Sequence, residues 1–474
     1  MSSPAPSVRA IEGERPTAVV LGVQLPDVAD DAFESSLTEL ERLADTLGLR
    51  VVGRVTQKRS ALLVASVVGA GKLKQLAAFT GGSGELTPYS PPGKKKRDGE
   101  AVDSDADSDS GSDSDSGADS DSGSAPTAAD KATLVLVDHD LSPRQASNLE
   151  KATGAEVLDR SMLILSIFKR HARTREARIQ VEIAQLAYLT PRLREAGAGR
   201  DRQRGGVGGK GAGESALELD RRRVRDRVAE LKRELEIVQR EVDTRRSRRT
   251  TAESSTVALV GYTNAGKSSL MRALTGDAVY VADQLFATLD TTVRVLKPET
   301  RPRILVSDTV GFIKKLPHDL VASFRSTLEE AREAALLLHV IDASDPAFRA
   351  QAEVTRSVLR ELGAGGRPTL VLLNKVDRLG AEACAALATE FPEAMLLSAR
   401  DASDVERLHA RIVARFERDM RDEEFVVPYA APKLVAALHE RTRVLEERYD
   451  EAGTRLRVRA PAAVLAALRS QLEV

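Results

Sequence analysis

The chain contains no tryptophan, and aromatic residues make up only 3% of its 474 residues. Proteins that hold single-stranded nucleic acid without reading its sequence stack bases on aromatic side chains, so this mode is not expected to dominate here. A single cysteine, Cys384, excludes an internal disulfide framework and is typical of a reducing compartment. No apolar run approaches the roughly 20 residues of a membrane span. The N-terminus also lacks the apolar core of a signal peptide, so we expect a cytoplasmic chain without a membrane span.

The formal net charge of −1 conceals two segments of opposite sign. Residues 101–124 contain eight Asp and no Lys or Arg, whereas residues 169–250 contain 23 Lys and Arg against 13 Asp and Glu. Such asymmetry favours a nucleic-acid partner for the basic segment. A solvated helical surface would have the same composition, so charge alone leaves both interpretations open.

Residues 1–160 alternate between strand-like apolar runs and helical patterns. This alternation predicts a small α/β domain with a parallel sheet. A stretch at about 87–129, rich first in Pro and Lys and then in Ser and Asp, interrupts the pattern. Because it has no apolar periodicity and cannot bury a core, it is predicted to be a disordered insertion.

Residues 161–250 predict a basic helical hairpin. Apolar residues recur at spacings of four and three, which indicates two helices packed side by side: Val224, Val228, Leu231, Leu235, Val238 and Val242. The glycine-rich run at 205–213 is predicted to form the tip. Strand–helix alternation resumes in residues 251–420, and residues 421–474 predict a small α+β domain. The predicted fold class is therefore α/β, with these elements arranged around a phosphate-loop domain.

The stretch GYTNAGKS fits the phosphate-loop pattern G-x-x-x-x-G-K-[ST], and it follows a short apolar strand and opens a helix, as that loop requires. Its glycines let backbone N–H groups converge on phosphate oxygens. Lys267 is expected to reach the β- and γ-phosphates, and the Ser268 hydroxyl is expected to ligate Mg²⁺. The whole loop is predicted to line the nucleotide: Gly261, Tyr262, Thr263, Asn264, Ala265, Gly266, Lys267 and Ser268.

Two further segments are predicted on the γ-phosphate side. Asp308 follows an apolar strand, where a carboxylate is expected to face Mg²⁺ through a water molecule, and Gly311 lets a backbone N–H approach the γ-phosphate. Between this segment and the phosphate loop lies FATLD, with Thr288, Thr291 and Thr292 as candidates for the switch threonine that completes the Mg²⁺ shell. The predicted nucleotide contacts are Phe286, Ala287, Thr288, Leu289, Asp290, Asp308, Thr309, Val310 and Gly311.

The run NKVD after the strand at 370–373 predicts guanine recognition. The Asp377 carboxylate can accept hydrogen bonds from N1–H and the exocyclic amine of guanine, a donor pair that adenine lacks. The Lys375 stem can cover one face of the base. A second segment is expected to meet the guanine oxygen. The predicted contacts are Asn374, Lys375 and Asp377, with Ser398, Ala399 and Arg400. The phosphate loop, FATLD, DTVG, NKVD and the segment 398–400 occur in this order, and together they predict binding of GTP rather than ATP.

The residues after Gly311 pose a problem for catalysis. Many GTPases place a glutamine there to orient the attacking water, but this chain has Phe312 followed by Ile313. Neither side chain can hydrogen-bond a water, so the free protein is predicted to hydrolyse GTP slowly. The water must be oriented by a switch backbone group, an RNA phosphate, a bound cation or a partner residue. Asn264 is a candidate K⁺ ligand, and the alternative is that it only stabilises the loop.

The chain resembles the HflX family of ribosome-associated GTPases over nearly its whole length apart from the acidic insertion. Beyond the nucleotide motifs FATLD, DTVGF and NKVD, the resemblance depends on Leu141-Ser142-Pro143, Asn148-Leu149-Glu150, Ile167 to Leu193 and Gly211 to Arg223. The chain departs from the family at Ser215-Ala216, where a Gln and a Thr are usual. The resemblance favours Thr288 as the switch threonine, and it implies that Lys267, Thr288 and Gly311 act on the reacting phosphate.

The resemblance also implies a monomer with an N-terminal α/β domain, a helical hairpin, a GTPase domain and a C-terminal α+β domain. It implies binding of GTP and GDP with Mg²⁺, binding to the large ribosomal subunit and its rRNA, and splitting of stalled or idle ribosomes. Some members bind ATP through the N-terminal domain, but the run at 69–72 is more typical of a plain turn. An alternative is an RNA chaperone or ATP-driven rRNA remodeller in which GTP acts only as a switch. A GTPase that assists tRNA modification lacks support, because no suitable cysteine constellation is present.

Deleting residues 101–124 should leave folding and GTP hydrolysis unchanged, because this acidic segment cannot bury a core. We expect the deletion to tighten binding to ribosomes or RNA, since a tethered polyanion would compete with RNA phosphate for the basic hairpin. The effect should be largest at low salt, where charge is least screened, and co-sedimentation at two salt concentrations measures it. A variant with these aspartates changed to asparagine keeps the length and should behave alike. Equal or weaker binding in both variants would contradict the prediction.

Overall fold

The computed structural model describes residues 15–86, 131–197, 216–250, 255–276, 285–286, 292–314 and 330–472. The chain divides into two units, one formed by Met1–Ala44 with Gly48–Arg160 and the other by Asp45–Leu47 with Ser161–Val474. The predicted insertion at 87–129, the predicted hairpin tip at 205–213 and the predicted contacts at 287–290 lie outside the described residues.

Continuous apolar runs in the first unit form a parallel sheet with buried central strands. The strand order is β2-β1-β3-β4, with all three pairings parallel. Strands buried on both faces need apolar residues at successive positions. The sheet and its helices are β1 (Thr17–Gln24), α1 (Asp30–Thr46), β2 (Arg50–Lys58), α2 (Ala70–Thr80), β3 (Leu134–Val137), α3 (Pro143–Thr153) and β4 (Glu156–Asp159).

The run LSPRQ sets the start of α3 and also holds a distant loop. Ser142 caps the helix, and its side chain and that of Gln145 each accept a hydrogen bond from the other's backbone N–H. The Gln145 amide also donates to the Leu63 carbonyl at 2.8 Å, and Asn148 donates to the Ala65 carbonyl at 2.9 Å. Ser142 and Asn148 carried part of the family resemblance, and within this unit the Gln145 and Asn148 side chains fix the loop that follows β2.

Three helices come next in the chain: α4 (Arg160–His171), α5 (Arg175–Gly197) and α6 (Ala216–Thr250). An apolar cluster joins α5 and α6. Leu231 and Val238 of α6 are buried against Ile179 of α5. Ion pairs flank this seam, including Arg227 with Glu182 at 2.9 Å. Of the six residues of the predicted seam, Leu231, Leu235 and Val238 pack in one cluster with residues of α5.

A six-stranded sheet follows, with the order β10-β9-β8-β5-β7-β6. Its strands are parallel except β6, which pairs antiparallel with β7. Apolar clusters cover both faces. The elements are β5 (Ser255–Gly261), α7 (Lys267–Thr275), β6 (Thr292–Val295), β7 (Ile304–Asp308), β8 (Leu336–Asp342), α8 (Phe348–Glu361), β9 (Thr369–Asn374), α9 (Ala381–Glu390), β10 (Met395–Leu396) and α10 (Ala402–Glu417).

The last elements form a three-stranded antiparallel sheet in the order β11-β13-β12, and two helices pack with it around one apolar cluster. They are β11 (Met420–Val427), α11 (Pro432–Arg441), β12 (Arg443–Asp450), β13 (Gly453–Pro461) and α12 (Ala462–Leu472). The α/β fold class predicted from the sequence is confirmed. None of the helices within the described ranges is both long and apolar enough to cross a membrane.

A buried ion pair joins the ends of β3 and β4 in the first unit. Arg160 and Asp138 are each 1% exposed, and their charged groups lie 2.7 Å apart. Ser36 of α1 donates a hydrogen bond to the second Asp138 oxygen at 2.7 Å, and Glu39 of α1 also pairs with Arg160. Because a buried charge is costly without an opposite charge, this cluster fixes α1 against the carboxyl ends of both strands.

Replacing Asp138 with alanine should lower the free energy of unfolding by about 3 kcal/mol, because the buried Arg160 guanidinium would lose the carboxylate that faces it. Urea unfolding of the full chain, followed by circular dichroism, measures the change. Lys58→Ala is the control, since Lys58 pairs with Asp30 while both side chains are more than 70% exposed, at 72% and 75%, and exposed pairs contribute little. A loss for Asp138→Ala as small as that for the control would show that the buried pair is not needed for stability.

Candidate nucleotide-binding site

The candidate site lies at the carboxyl edge of the six-stranded sheet. Strands β5, β7, β8 and β9 end there at Gly261, Asp308, Asp342 and Asn374. Since these strands are parallel neighbours, the loops that follow them meet at one edge. Open α/β sheets bind their ligands outside the carboxyl ends of the strands, so the topology brings together three motifs that are far apart in the sequence.

Two glycines of the phosphate loop occupy positions where no side chain fits. Gly261 has φ 150°, and an added Cβ would lie 2.1 Å from the Val340 carbonyl oxygen. Gly266 has φ 95°, and an added Cβ would lie 2.3 Å from the Asn374 side-chain nitrogen. Asn264 adopts the left-handed conformation with φ 59°. The loop therefore approaches the neighbouring strands closely and turns directly into α7.

Lys267 is buried beneath this loop at 6% exposure. Its ammonium donates hydrogen bonds to the carbonyls of Gly261 and Tyr262, at 3.1 and 2.7 Å. Burial lowers the pKa of Lys267 to about 8; the nearby Asp308 carboxylate opposes this shift, and the Lys375 cation adds to it. The ammonium is still mostly protonated at pH 7, so a positive charge is held at the start of α7, where the helix N-terminus also favours anions.

Ser268 and Asp308 place two hard oxygen donors together. The Ser268 hydroxyl donates to the Asp308 carboxylate at 2.7 Å, and Asp308 is fully buried. Hydroxyl and carboxylate oxygens are the ligand types that Mg²⁺ prefers, so these residues fit the predicted metal. The neighbouring Thr309 is also fully buried, but its hydroxyl donates to the Leu259 carbonyl at 2.6 Å. Thr309 thus ties the segment to β5 through its side chain.

The Phe312 side chain packs in the core of the sheet domain. It is 2% exposed and packs with Ala258, Val260 and Leu337. Its backbone forms a parallel bridge with the phosphate loop, because Phe312 N–H donates to the Gly261 carbonyl at 3.1 Å and the Phe312 carbonyl accepts from Thr263 N–H at 2.8 Å. The position that holds glutamine in many GTPases is therefore used here for packing.

Gly311 lies directly over Lys267. A Cβ at Gly311 would lie 2.9 Å from the Lys267 ammonium and 2.9 Å from Thr263 Cα. Only glycine allows this approach. Tyr262, which the sequence placed among the nucleotide contacts, is 5% exposed, and its hydroxyl accepts a hydrogen bond from Lys314 N–H at 2.7 Å. The structure therefore directs the Tyr262 side chain to the segment after Gly311.

The guanine motif lines a cavity of about 160 Å³. Asn374 joins its two loops, because its amide donates to the Ala265 carbonyl at 2.8 Å and accepts from Ala399 N–H at 3.1 Å. The Ser398 hydroxyl donates to Asp377 at 2.7 Å, which orients that carboxylate. The cavity is lined by Asn264, Gly266, Ser269, Asn374, Lys375, Asp377, Arg378, Ser398, Ala399 and Arg400.

Sequence reasoning missed two carboxylates that hold these loops in place. Asp342 accepts from the Lys375 ammonium at 2.7 Å, and the same ammonium donates to the Asn264 carbonyl at 2.7 Å. Asp404 accepts from Ser398 N–H at 2.7 Å. The only sequence signal for Asp342 is its position at the end of a buried strand, next to the strand that carries the guanine motif.

Of the predicted switch contacts FATLD, the structure describes Phe286. Phe286 is 3% exposed, and its ring packs edge-on against Phe168, with centroids 4.7 Å apart. Its side chain therefore packs on α4. Ala287, Thr288, Leu289 and Asp290 lie outside the described residues, as does the alternative Thr291; the other alternative, Thr292, begins β6. The choice of Thr288 stays a prediction.

A phosphate loop, a DTVG segment and an NKVD motif at one edge of a parallel sheet define a P-loop GTPase. Three family models match the chain: "GTP-binding GTPase N-terminal" over residues 34–84 and 124–169, "GTP-binding GTPase Middle Region" over 171–249, and "50S ribosome-binding GTPase" over 256–375. The GTPase HflX of Gluconacetobacter diazotrophicus is 56% identical over 456 residues, covering 96% of this chain and 98% of that protein. The chain belongs to the HflX family of GTPases, and its activity is hydrolysis of GTP to GDP and phosphate.

More distant relatives span somewhat less of the chain. The GTPase HflX of Escherichia coli is 41% identical over 336 residues, which cover 70% of this chain and 79% of that protein. Among solved structures, a GTP-binding protein from Sulfolobus solfataricus in complex with GDP is 22% identical, with a TM-score of 0.41. The match covers 84% of this chain and 98% of that one.

Asp377→Asn should weaken GTP binding by roughly ten- to a hundredfold and favour xanthine nucleotides, because the amide offers a donor where guanine needs an acceptor. Titration with GTP and XTP measures both affinities. Asp419→Asn removes a carboxylate whose side chain is 74% exposed and does not line the cavity, so it should change neither affinity. Unchanged GTP affinity in Asp377→Asn would remove Asp377 from the site.

Proposed function

We propose that this GTPase binds the large ribosomal subunit, that the ribosome stimulates its GTP hydrolysis, and that it splits stalled or idle ribosomes. The observation that carries the proposal is the burial of Phe312. A free protein whose DTVG segment continues into the core has no side chain there to orient the attacking water. The match to a model of 50S ribosome-binding GTPases supports the ribosome as the source of the missing group.

Within the site we propose separate tasks for the predicted residues. Lys267 and the Gly311 N–H bind the β- and γ-phosphates and stabilise the charge that develops on the transferred group. Asp377 selects guanine. Ser268, Thr288 and Asp308 would hold Mg²⁺, with Asp308 acting through a water, and the ion would neutralise phosphate charge when bound.

We also propose Asn264 as a K⁺ ligand, because it is exposed and belongs both to the phosphate loop and to the lining of the cavity beside the guanine motif. The remaining predicted contacts, Gly261 to Gly266 and the loop at 398–400, would bind the nucleotide chiefly through their backbone groups. This assignment follows from the side chains that the structure already engages elsewhere, such as Tyr262 and Ser398.

The hairpin of α5 and α6 supports an RNA partner. Arg222, Arg225 and Arg233 are in exposed positions on α6, and Arg175 of α5 pairs with Glu234 of α6 at 2.7 Å. Lys and Arg contacts to phosphates supply affinity that does not depend on nucleic-acid sequence and that weakens with salt. The hairpin is therefore the surface that we propose for rRNA.

Purified large subunits should accelerate steady-state phosphate release by more than about tenfold, since a group supplied in trans contributes ~10³–10⁵-fold in related enzymes. Lys267→Ala should abolish hydrolysis with and without subunits. Phe312→Leu keeps the buried apolar contact, so both its basal and its stimulated rates should resemble those of the unmodified protein.

Arg222→Ala combined with Arg225→Ala should reduce the stimulation without changing the basal rate, because these residues lie on the hairpin and outside the nucleotide site. The loss should be largest at low salt and shrink as salt is raised, because screening weakens the phosphate contacts that these arginines supply. A free protein that hydrolyses GTP as fast as the subunit-bound protein would overturn the proposal that the ribosome completes the site. Sedimentation of intact ribosomes with GTP then tests splitting directly.

A further inference from the structure

The side chain of Tyr262 links the phosphate loop to the segment that follows Gly311. Its hydroxyl accepts a hydrogen bond from Lys314 N–H at 2.7 Å, across 52 residues of sequence. The backbone of the same residue faces Phe312 in the parallel bridge. Residue 262 therefore contacts this segment at two points, through its backbone at Phe312 and through its side chain two residues further on.

The hydrogen bond to Lys314 completes an anchor at the far end of the segment. Phe312 and Ile313 are 2% and 1% exposed, so neither can shift without losing buried contacts. At the near end, Thr309 is tied to the Leu259 carbonyl. Gly311 is thus held between two fixed points, and its backbone lies close to the Lys267 ammonium.

Tyrosine has the chemistry that this anchor needs. Its side chain has few rotatable bonds, and the residue is only 5% exposed. Its hydroxyl lies where it can accept the hydrogen bond from Lys314 N–H. Phenylalanine would keep the ring and lose the acceptor.

We propose that Tyr262 is a positioning residue for GTP hydrolysis: it holds the segment after Gly311 so that the Gly311 N–H meets the γ-phosphate. A rigid anchor of this kind matters because small displacements of a transition-state donor cost rate. The inference rests on the proposed placement of the γ-phosphate beside Gly311 and Lys267. It does not depend on the ribosome.

Tyr262→Phe tests the inference through the difference between GTP and GDP. GDP lacks the γ-phosphate, so a residue that acts through Gly311 should affect only the triphosphate. We expect the variant to bind the analogue GMPPNP about fivefold more weakly, with a similar loss in kcat, as removal of one hydrogen bond predicts. Its GDP affinity should stay unchanged. Titration of both nucleotides and single-turnover hydrolysis without ribosomes measure these quantities.

Tyr429→Phe is the matched control. It removes a hydroxyl that donates to the Asp450 carbonyl at 2.9 Å, far along the chain from the phosphate loop, and it should alter neither affinity. Equal weakening of GMPPNP and GDP by Tyr262→Phe would show a general support of the phosphate loop and overturn the inference. No change in GMPPNP affinity or kcat would overturn it as well.

Gly311→Ala shows whether a negative result rejects the role of Tyr262 or the proposed position of the γ-phosphate. Its added methyl group would lie against Lys267 and Thr263, so it should lower GMPPNP affinity relative to GDP if the γ-phosphate binds there. If Gly311→Ala lowers the ratio of GMPPNP affinity to GDP affinity and Tyr262→Phe does not, the γ-phosphate lies beside Gly311 and the role of Tyr262 is rejected. If neither variant lowers it, the placement itself is wrong, and the inference that rests on it falls too.

Discussion

The backbone pairing between Phe312 and the phosphate loop is the contact on which the nucleotide site depends. Two hydrogen bonds join Phe312 to Gly261 and Thr263, and they fix which way each neighbouring side chain can point. The Phe312 ring turns into the core, Gly311 comes over Lys267, and the Tyr262 hydroxyl reaches Lys314. A different register at this bridge would separate all three contacts, because successive residues of an extended segment face opposite sides.

This arrangement explains why an apolar residue occupies the position of the usual glutamine. Burying a phenylalanine side chain contributes about 1.5–3 kcal/mol, whereas an amide in the same cluster would need hydrogen-bond partners that Ala258, Val260 and Leu337 do not offer. Packing and water orientation are thus incompatible uses of one position. The Phe312 side chain is used for packing, so it is not the group that orients the attacking water.

The guanine and phosphate halves of the site are cross-linked by side chains that need not touch the nucleotide. Asn374 bonds to the Ala265 carbonyl, and Lys375 bonds to the Asn264 carbonyl while Asp342 holds its charge. Lys375 adopts a left-handed backbone conformation with φ 64° to do so. A shift in either loop must therefore strain the other. Two side-chain hydrogen bonds, the first of them buried, therefore join the loop after β9 to the phosphate loop.

The sequence by itself determined the order of the elements, the glycines of the phosphate loop, the guanine motif and the family, because these depend on local patterns of spacing and residue type. It also showed that Phe312 cannot orient water. Only the tertiary structure decided that Phe312 faces the core, that Tyr262 serves Lys314, and that Asp342 anchors Lys375. The last two contacts join segments at the ends of different strands, across 52 and 33 residues of sequence. Which of them meet is set by strand order and register in the sheet, and no local pattern encodes that.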